Sequence, residues 1–209
     1  MTIPLMKLLK GKIGQSDMDE DMKLLMWAVS SIAFHGAFRI HELLSTHEAT
    51  YDPDHTLLVE NVKLRGREGD SVLEICLKCP KEKKAGKPTV VDVFETKGPL
   101  CPIKALRKWA GQSELVLGQP IFRRRNGTPL TGRKFNSCLQ STLGRFSKFE
   151  GGTISSHSFR SGITSIMGTK GFSDKEIKLV GRWSSRAFTV YTKLPRTQRA
   201  TMMRKLQYL

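Results

Sequence analysis

The chain has 209 residues, with 35 Lys and Arg against 19 Asp and Glu, a formal net charge of +16 and a pI near 10.0. That length suits one domain with a real core, and 39% hydrophobic with 26% charged residues argues against wholesale disorder. No apolar run approaches the roughly 18 residues of a membrane span. Residues 1–14 lack the apolar stretch of a secretory signal, and four cysteines make no disulfide framework, so a reducing compartment inside the cell is expected and secretion is not.

A helix is expected from about Ser16, whose hydroxyl can cap it. Asp17, Asp19, Glu20 and Asp21 suit the positive end of its dipole, and Met22, Leu25, Met26, Val29 and Ala33 recur at helical spacing. Gly36 interrupts the run, and a second short helix is expected over Arg39 to Leu44. The period then changes. Thr56 to Arg65, Ser71 to Cys79 and Thr89 to Glu95 read as strands of a three-stranded antiparallel sheet, separated by Gly66–Asp70 and Lys81–Lys87. Helical texture returns at Pro102, which is tolerated in a first turn, and stops at Gly111. Asn126-Gly127 marks a turn, and Thr131 can cap a helix through Phe135, Leu139 and Leu143. Ser155 or Ser156 starts a helix that Gly171 ends. Ser173-Asp174-Lys175-Glu176 is a capping box ahead of Ile177, Leu179 and Val180. Helices around Phe188 to Leu194 and from Pro195 onward complete the chain. With no repeat, low-complexity stretch or linker, residues 1–209 are expected to form one α+β domain, mainly α-helical.

Several motifs fail on their own chemistry. Cys76-x-x-Cys79 lacks a second ligand pair, and strand positions three apart diverge, so it is a poor zinc site. His41-Glu42-Leu43-Leu44-Ser45 has Ser where a zinc-binding helix needs its second His. Asp52-Pro53-Asp54 reads as a turn rather than a magnesium site. Lys81-Glu82-Lys83-Lys84 falls on a hairpin tip rather than reading as a nuclear address. No phosphate-cradling loop is present, and the basic C-terminal two-thirds lacks the carboxylates of two-metal phosphoryl transfer. No metal or other cofactor is expected.

The charge is uneven: from Leu115 onward the only acids are Glu150, Asp174 and Glu176. Such a surplus implies a polyanion, most simply nucleic acid, whereas no helix has the pattern of a membrane-surface binder. A polyanion must then be met by cations and hydrogen-bond donors. His157-Ser158-Phe159-Arg160 spaces an imidazole and a guanidinium for one helix face. Arg donates to two phosphate oxygens at once, and His shuttles protons near neutral pH. Taken singly these residues have plain readings: a solvated His–Arg pair, a core Trp183, a packed Tyr191. Arg39, just after a glycine-broken apolar helix, is an odd place for a charge unless it faces a site.

Taken in order, Arg39, a hairpin lysine, His157-x-x-Arg160, Trp183 and Tyr191 resemble the active-site set of the tyrosine recombinase (phage integrase) family. The flanking words "AFHGAFRIHELL", "LKCPKEKKAG", "CPIKAL", "HSFRSG" and "VGRWSSRAFTVY" match too, most similarly to recombinases of eukaryotic mobile elements, where Trp commonly replaces a second His. The resemblance runs from about Thr2 to Leu209 and covers the catalytic half of the family plan; the N-terminal helical domain is expected to be absent from this chain. His41 departs from the small residue usual after Ile and is expected on the outer face.

The resemblance implies the roles. Tyr191 attacks a DNA phosphodiester to form a 3′-phosphotyrosyl link, without metal or ATP. Arg39 and Arg160 brace the non-bridging oxygens, His157 handles the tyrosine-side proton, and Trp183 offers its indole N–H. Lys81 protonates the 5′-oxygen, with Lys83 and Lys84 as fallbacks. Arg123, Arg124, Arg125, Arg133 and Lys134 are read as phosphate contacts on double-stranded DNA, with a solvated loop as the plain alternative. The segment from Pro195, with Met202, Met203, Leu206 and Leu209, either packs in cis or joins a neighbouring subunit in a homotetramer. A nuclear location is implied for a eukaryotic element, and the cytoplasm or nucleoid otherwise. The competing readings are a domesticated DNA-binding module without activity and a type IB topoisomerase-like relaxase.

Overall fold

A computed structural model describes residues 1–78, 88–149 and 152–182. The expected turn at Lys81–Lys87 and the expected helices after residue 183 lie outside these residues, as does Cys79.

A helix already precedes the expected start at Ser16. Helix α1 (Ile3–Gly14) is capped by the Thr2 hydroxyl, which accepts from the Leu5 N–H, and carries a proline at its start, where a missing N–H costs nothing. It buries Met6, Leu9 and Ile13. Its presence moves the next boundary. Ser16 donates its hydroxyl to the Ile13 carbonyl at 2.7 Å, so it serves the end of α1. Asp19 instead caps α2 (Glu20–His35), accepting from the Met22 N–H at 2.7 Å.

Helix α2 is the axis of the molecule. It is buried on nearly every side from Leu25 onward, and α1, α4 and α6 pack against it. Its interior polar groups are matched: Ser31 donates to the Leu100 carbonyl at 2.6 Å, and the His35 Nδ1–H donates to the Ser31 carbonyl at 2.9 Å. Burial pulls the His35 pKa down to about 4, with the Ser31 bond opposing part of that shift. The imidazole is therefore neutral in the fold. Gly36 ends the helix, and α3 (Ile40–Leu43) follows after a three-residue corner.

The sheet is antiparallel in the order β1-β2-β3, with β1 (Val62–Arg65), β2 (Val72–Leu77) and β3 (Thr89–Phe94). Leu64 pairs with Leu73, and Leu73 with Val93, which sets the register. Leu73, Ile75 and Leu77 share one buried face. The β1–β2 turn uses Gly66 at φ +87°, where a Cβ would sit 2.6 Å from the Asp70 carbonyl. Thr56 to Asn61 is not part of β1. Val59 donates to the Gln119 carbonyl and Ile121 to the Leu57 carbonyl, so this stretch pairs with residues 119–121 before a 3-10 turn at Val59–Asn61.

Glu95 ties the sheet to the helices. Burial alone raises its carboxyl pKa, but N–H donors from Ser71 and Gly69 and the Arg107 guanidinium outweigh that and hold it below the usual range. Arg107 belongs to α4 (Pro102–Ala110), which runs to Gly111 as the sequence implies. Helix α5 (Gly132–Leu143) starts on a Thr131 cap. A short β4–β5 pair (Lys148–Phe149, Gly152–Thr153) then leads into α6 (His157–Thr169), and α7 (Asp174–Gly181) opens on the expected capping box. The architecture is α+β and mainly helical, with one three-stranded antiparallel sheet among the described residues. No helix there is long and apolar enough to cross a membrane.

Candidate active site

The site is built around the corner between α2 and α3. Arg39 stands immediately before α3, its side chain 23% exposed. Glu42, on the first turn of α3 with a side chain only 7% exposed, holds it in two ways. Its Oε2 accepts the Arg39 backbone N–H at 2.8 Å, and its Oε1 lies 3.6 Å from the Arg39 Nη1. The carboxylate thus caps the helix and orients the guanidinium that begins it. Along the sequence, Glu42 carries no signal beyond its place in the His41-Glu42 motif that lacks a second zinc ligand.

The second guanidinium comes from α6. Its start is held from outside, because the Ser156 N–H donates to the Asn136 side chain of α5 at 2.8 Å. His157 opens the helix and is exposed. Arg160, one turn later, is 1% exposed, and its Nη2 donates to the Gly181 carbonyl at the end of α7. A cation there meets the negative end of that helix.

Gly181 is followed by Arg182, and here the two halves of the site join. Arg182 reaches back 146 positions in sequence to donate from Nη1 to the Gly36 carbonyl at 2.6 Å. Its Nη2 donates to the Ala37 carbonyl at 3.1 Å and to Glu42 Oε2 at 2.7 Å. The guanidinium also lies over the Phe38 ring, 4.7 Å from its centroid. One path of hydrogen bonds, with a single peptide link between Gly181 and Arg182, therefore runs from Arg160 to Glu42 and Arg39. Among the described residues, Ala37 (φ +48°) and Arg182 (φ +51°) are the non-glycine residues at positive φ, and they touch each other here. Each such conformation costs on the order of 1–3 kcal/mol, which surrounding contacts must offset.

His41 is exposed, as expected, and lines a cavity of about 600 Å³ beside Glu42, with Tyr51, His55, Cys76 and Lys78 on its other walls. Asp52 closes the expected turn there, accepting from the Asp54 N–H at 2.9 Å. Among the described residues no group of three or more His, Cys, Asp or Glu side chains could hold a metal ion.

The basic residues fall into two groups. Arg133 and Lys134 are exposed in the first turn of α5. That turn adjoins the site, because Gly132 donates to the Ser45 carbonyl just after α3, and Asn136 holds the start of α6. Cations at a helix start oppose its dipole by about 0.3–1 kcal/mol each. Arg123, Arg124 and Arg125 lie on the arm of a turn at Asn126-Gly127, where Arg123 pairs with Pro129. The Arg125 N–H donates to Asp21 at 2.8 Å, at the opposite end of α2 from the Arg39 corner, roughly 20 Å away by helical rise. Lys81, with its fallbacks Lys83 and Lys84, lies outside the described residues, and so do Trp183, Tyr191 and the segment from Pro195.

No protein-family model matches the chain, and no curated protein matches it. Solved structures do. The chain is similar to Flpe in a Holliday junction complex at 18% identity, with a TM-score of 0.63 over 96% of this chain and 50% of that one. It is similar to the XerH site-specific recombinase bound to its difH substrate at 14% identity and a TM-score of 0.59, covering 96% and 52%. The Tn1549 transposon integrase with circular intermediate DNA gives 12%, 0.52, 96% and 62%. This chain spans about half the length of the Flpe and XerH chains. The fold is that of a tyrosine recombinase catalytic domain.

Proposed function

We propose that residues 1–209 are the catalytic domain of a DNA strand-exchange enzyme that cuts and rejoins double-stranded DNA through a 3′-phosphotyrosyl intermediate, as a site-specific recombinase or transposon integrase. The observation that carries this reading is the path joining Arg39 to Arg160, in a fold shared with proteins whose structures are DNA complexes. Arg39 on the corner, and Arg160 on the carbonyl next to the residue that clasps that corner, are two guanidiniums suited to the two non-bridging oxygens of one phosphate.

In the proposed reaction the Tyr191 oxygen forms a bond to phosphorus while the bond from phosphorus to the 5′-oxygen breaks. The phenolic proton passes to His157, and the departing oxygen takes a proton from a lysine, assigned to Lys81. Arg39 and Arg160, with the Trp183 indole N–H, stabilise the extra negative charge at the pentacoordinate stage. One ester replaces another, so no nucleotide is consumed, and attack by a different 5′-hydroxyl completes the transfer. Arg133 and Lys134 take phosphates next to the scissile one, and Arg123 to Arg125 take phosphates farther along the duplex. The last segment, with Met202, Met203, Leu206 and Leu209, docks on a neighbouring copy in a tetramer on DNA. An element of this kind acts in the nucleus of a eukaryotic host, or at the nucleoid.

The test is a nicked suicide substrate incubated with wild type and Tyr191→Phe, with and without EDTA. A covalent protein–DNA adduct is expected from wild type in both conditions and from the Phe variant in neither. Tight binding with no wild-type adduct would instead support a non-catalytic DNA-binding module. Nicking and relaxation without transfer between two duplexes would support a relaxase. An adduct from the Phe variant overturns Tyr191 as the nucleophile.

A further inference from the structure

Arg182 sits at the centre of the contacts that hold the α2–α3 corner. Four of its neighbours are Gly36, Ala37, Phe38 and Glu42, which together form the corner that presents Arg39. Its forked head meets three acceptors, two carbonyls and a carboxylate, and its side chain is only 15% exposed. A single point charge such as an ammonium cannot satisfy that fan of acceptors in the same plane. In sequence, Arg182 is also the residue directly before Trp183 and nine positions before Tyr191.

We propose that Arg182 is a positioning residue. It clamps the α2–α3 corner to the end of α7 and so aims Arg39. The physical route is Glu42. That carboxylate fixes Arg39 through its backbone N–H and its guanidinium, and Arg182 fixes the carboxylate in turn. Because Glu42 Oε2 accepts from both residues, releasing Arg182 frees Glu42 to rotate and takes Arg39 with it. The left-handed conformations of Ala37 and Arg182 are held by the same bonds, so releasing the clamp also lets both relax. The clamp links two parts of the chain through a contact that spans 140 positions. This inference rests on the function proposed above and adds to it a residue through which phosphate bracing by Arg39 is set.

The experiment uses the whole chain with Arg182→Ala, Arg182→Lys, Arg39→Ala and the double variant Arg39→Ala/Arg182→Ala. Single-turnover cleavage of the suicide substrate and DNA affinity are measured side by side. Misplacement of a bracing group by about 1 Å costs on the order of 100-fold in rate. Arg182→Ala is therefore expected to slow cleavage by about that factor while DNA affinity stays within roughly threefold. Arg182→Lys recovers only part of the rate, because an ammonium lacks the planar fork. In the Arg39→Ala background, removing Arg182 adds no more than roughly threefold, since its effect passes through Arg39. Wild-type cleavage by Arg182→Ala, or effects that multiply in the double variant, would overturn the proposal. If circular dichroism shows Arg182→Ala unfolded, the Lys variant decides by the same comparison. If wild type forms no adduct, the proposed function fails and the clamp is read by hydrogen exchange over residues 36–44. Faster exchange in the Lys variant supports it, and unchanged exchange overturns it.

Discussion

Replacing Gly36 with alanine isolates the packing of the α2–α3 corner from its charges. Gly36 has φ −93° and ψ 4°, a conformation open to any residue, so backbone strain is not at issue. Space is. A Cβ at position 36 would lie 2.1 Å from Cε2 and 2.5 Å from Cδ2 of Phe38, and 3.0 Å from Cγ2 of Val93. Phe38 is wholly buried, with Arg182 over its ring, so the ring cannot swing into solvent and must push on its neighbours. Overpacking of this kind costs about 1–3 kcal/mol. Against it stands the lower conformational entropy of an unfolded alanine, which contributes about 0.4–1 kcal/mol. The steric effect wins, leaving a net destabilisation of about 1–2 kcal/mol, or roughly 2–8 °C in Tm for a chain of this size. Urea and thermal unfolding of Gly36→Ala measure it directly. Phe38→Ala removes the ring atoms the new methyl would strike and leaves only the 3.0 Å approach to Val93, so Gly36→Ala/Phe38→Ala should cost little more than Phe38→Ala alone. A Gly36→Ala variant within about 0.5 kcal/mol of wild type, or strict additivity in the double variant, refutes the reasoning.

The buried His35 gives a pH dependence with a definite sign. Its folded pKa, near 4, lies below the ordinary value of 6.5, so the unfolded chain takes up the proton first. Its contribution is complete above about pH 6.5 and declines as pH falls toward 4, by up to about 3 kcal/mol. Urea unfolding at several pH values should show this decline reduced in His35→Phe, and an equal decline in both proteins contradicts it. Arg133 and Lys134 should each account for about one phosphate. Replacing both with alanine should flatten the dependence of log affinity on log salt by nearly two. Fluorescence anisotropy across a salt series measures that slope, and an unchanged slope removes these residues from the interface.

Most elements could be read locally, because caps and turns act over three or four residues. Thr131, Ser173 with Glu176, Pro102 and Gly36 each bound a helix where the sequence implies. The misses share one cause. Ser16 and Asp19 are both good caps, and choosing between them depends on α1 already occupying the chain through Gly14. Thr56 to Asn61 alternates like a strand, yet its hydrogen bonds go to residues 119–121, partners no local pattern reveals.

The chemistry at hand is legible along the chain: which cations it carries, in which order, and the spacing that places His157 one turn before Arg160. Local periodicity settles such matters, since side chains three apart on a helix are neighbours whatever else the protein does. That Glu42 faces Arg182, and that Arg160 ends on the Gly181 carbonyl, comes from how the helices pack. Those contacts span 140 and 21 positions and exist because α6 packs against both α2 and α7, which brings the two ends of the chain's helical part together.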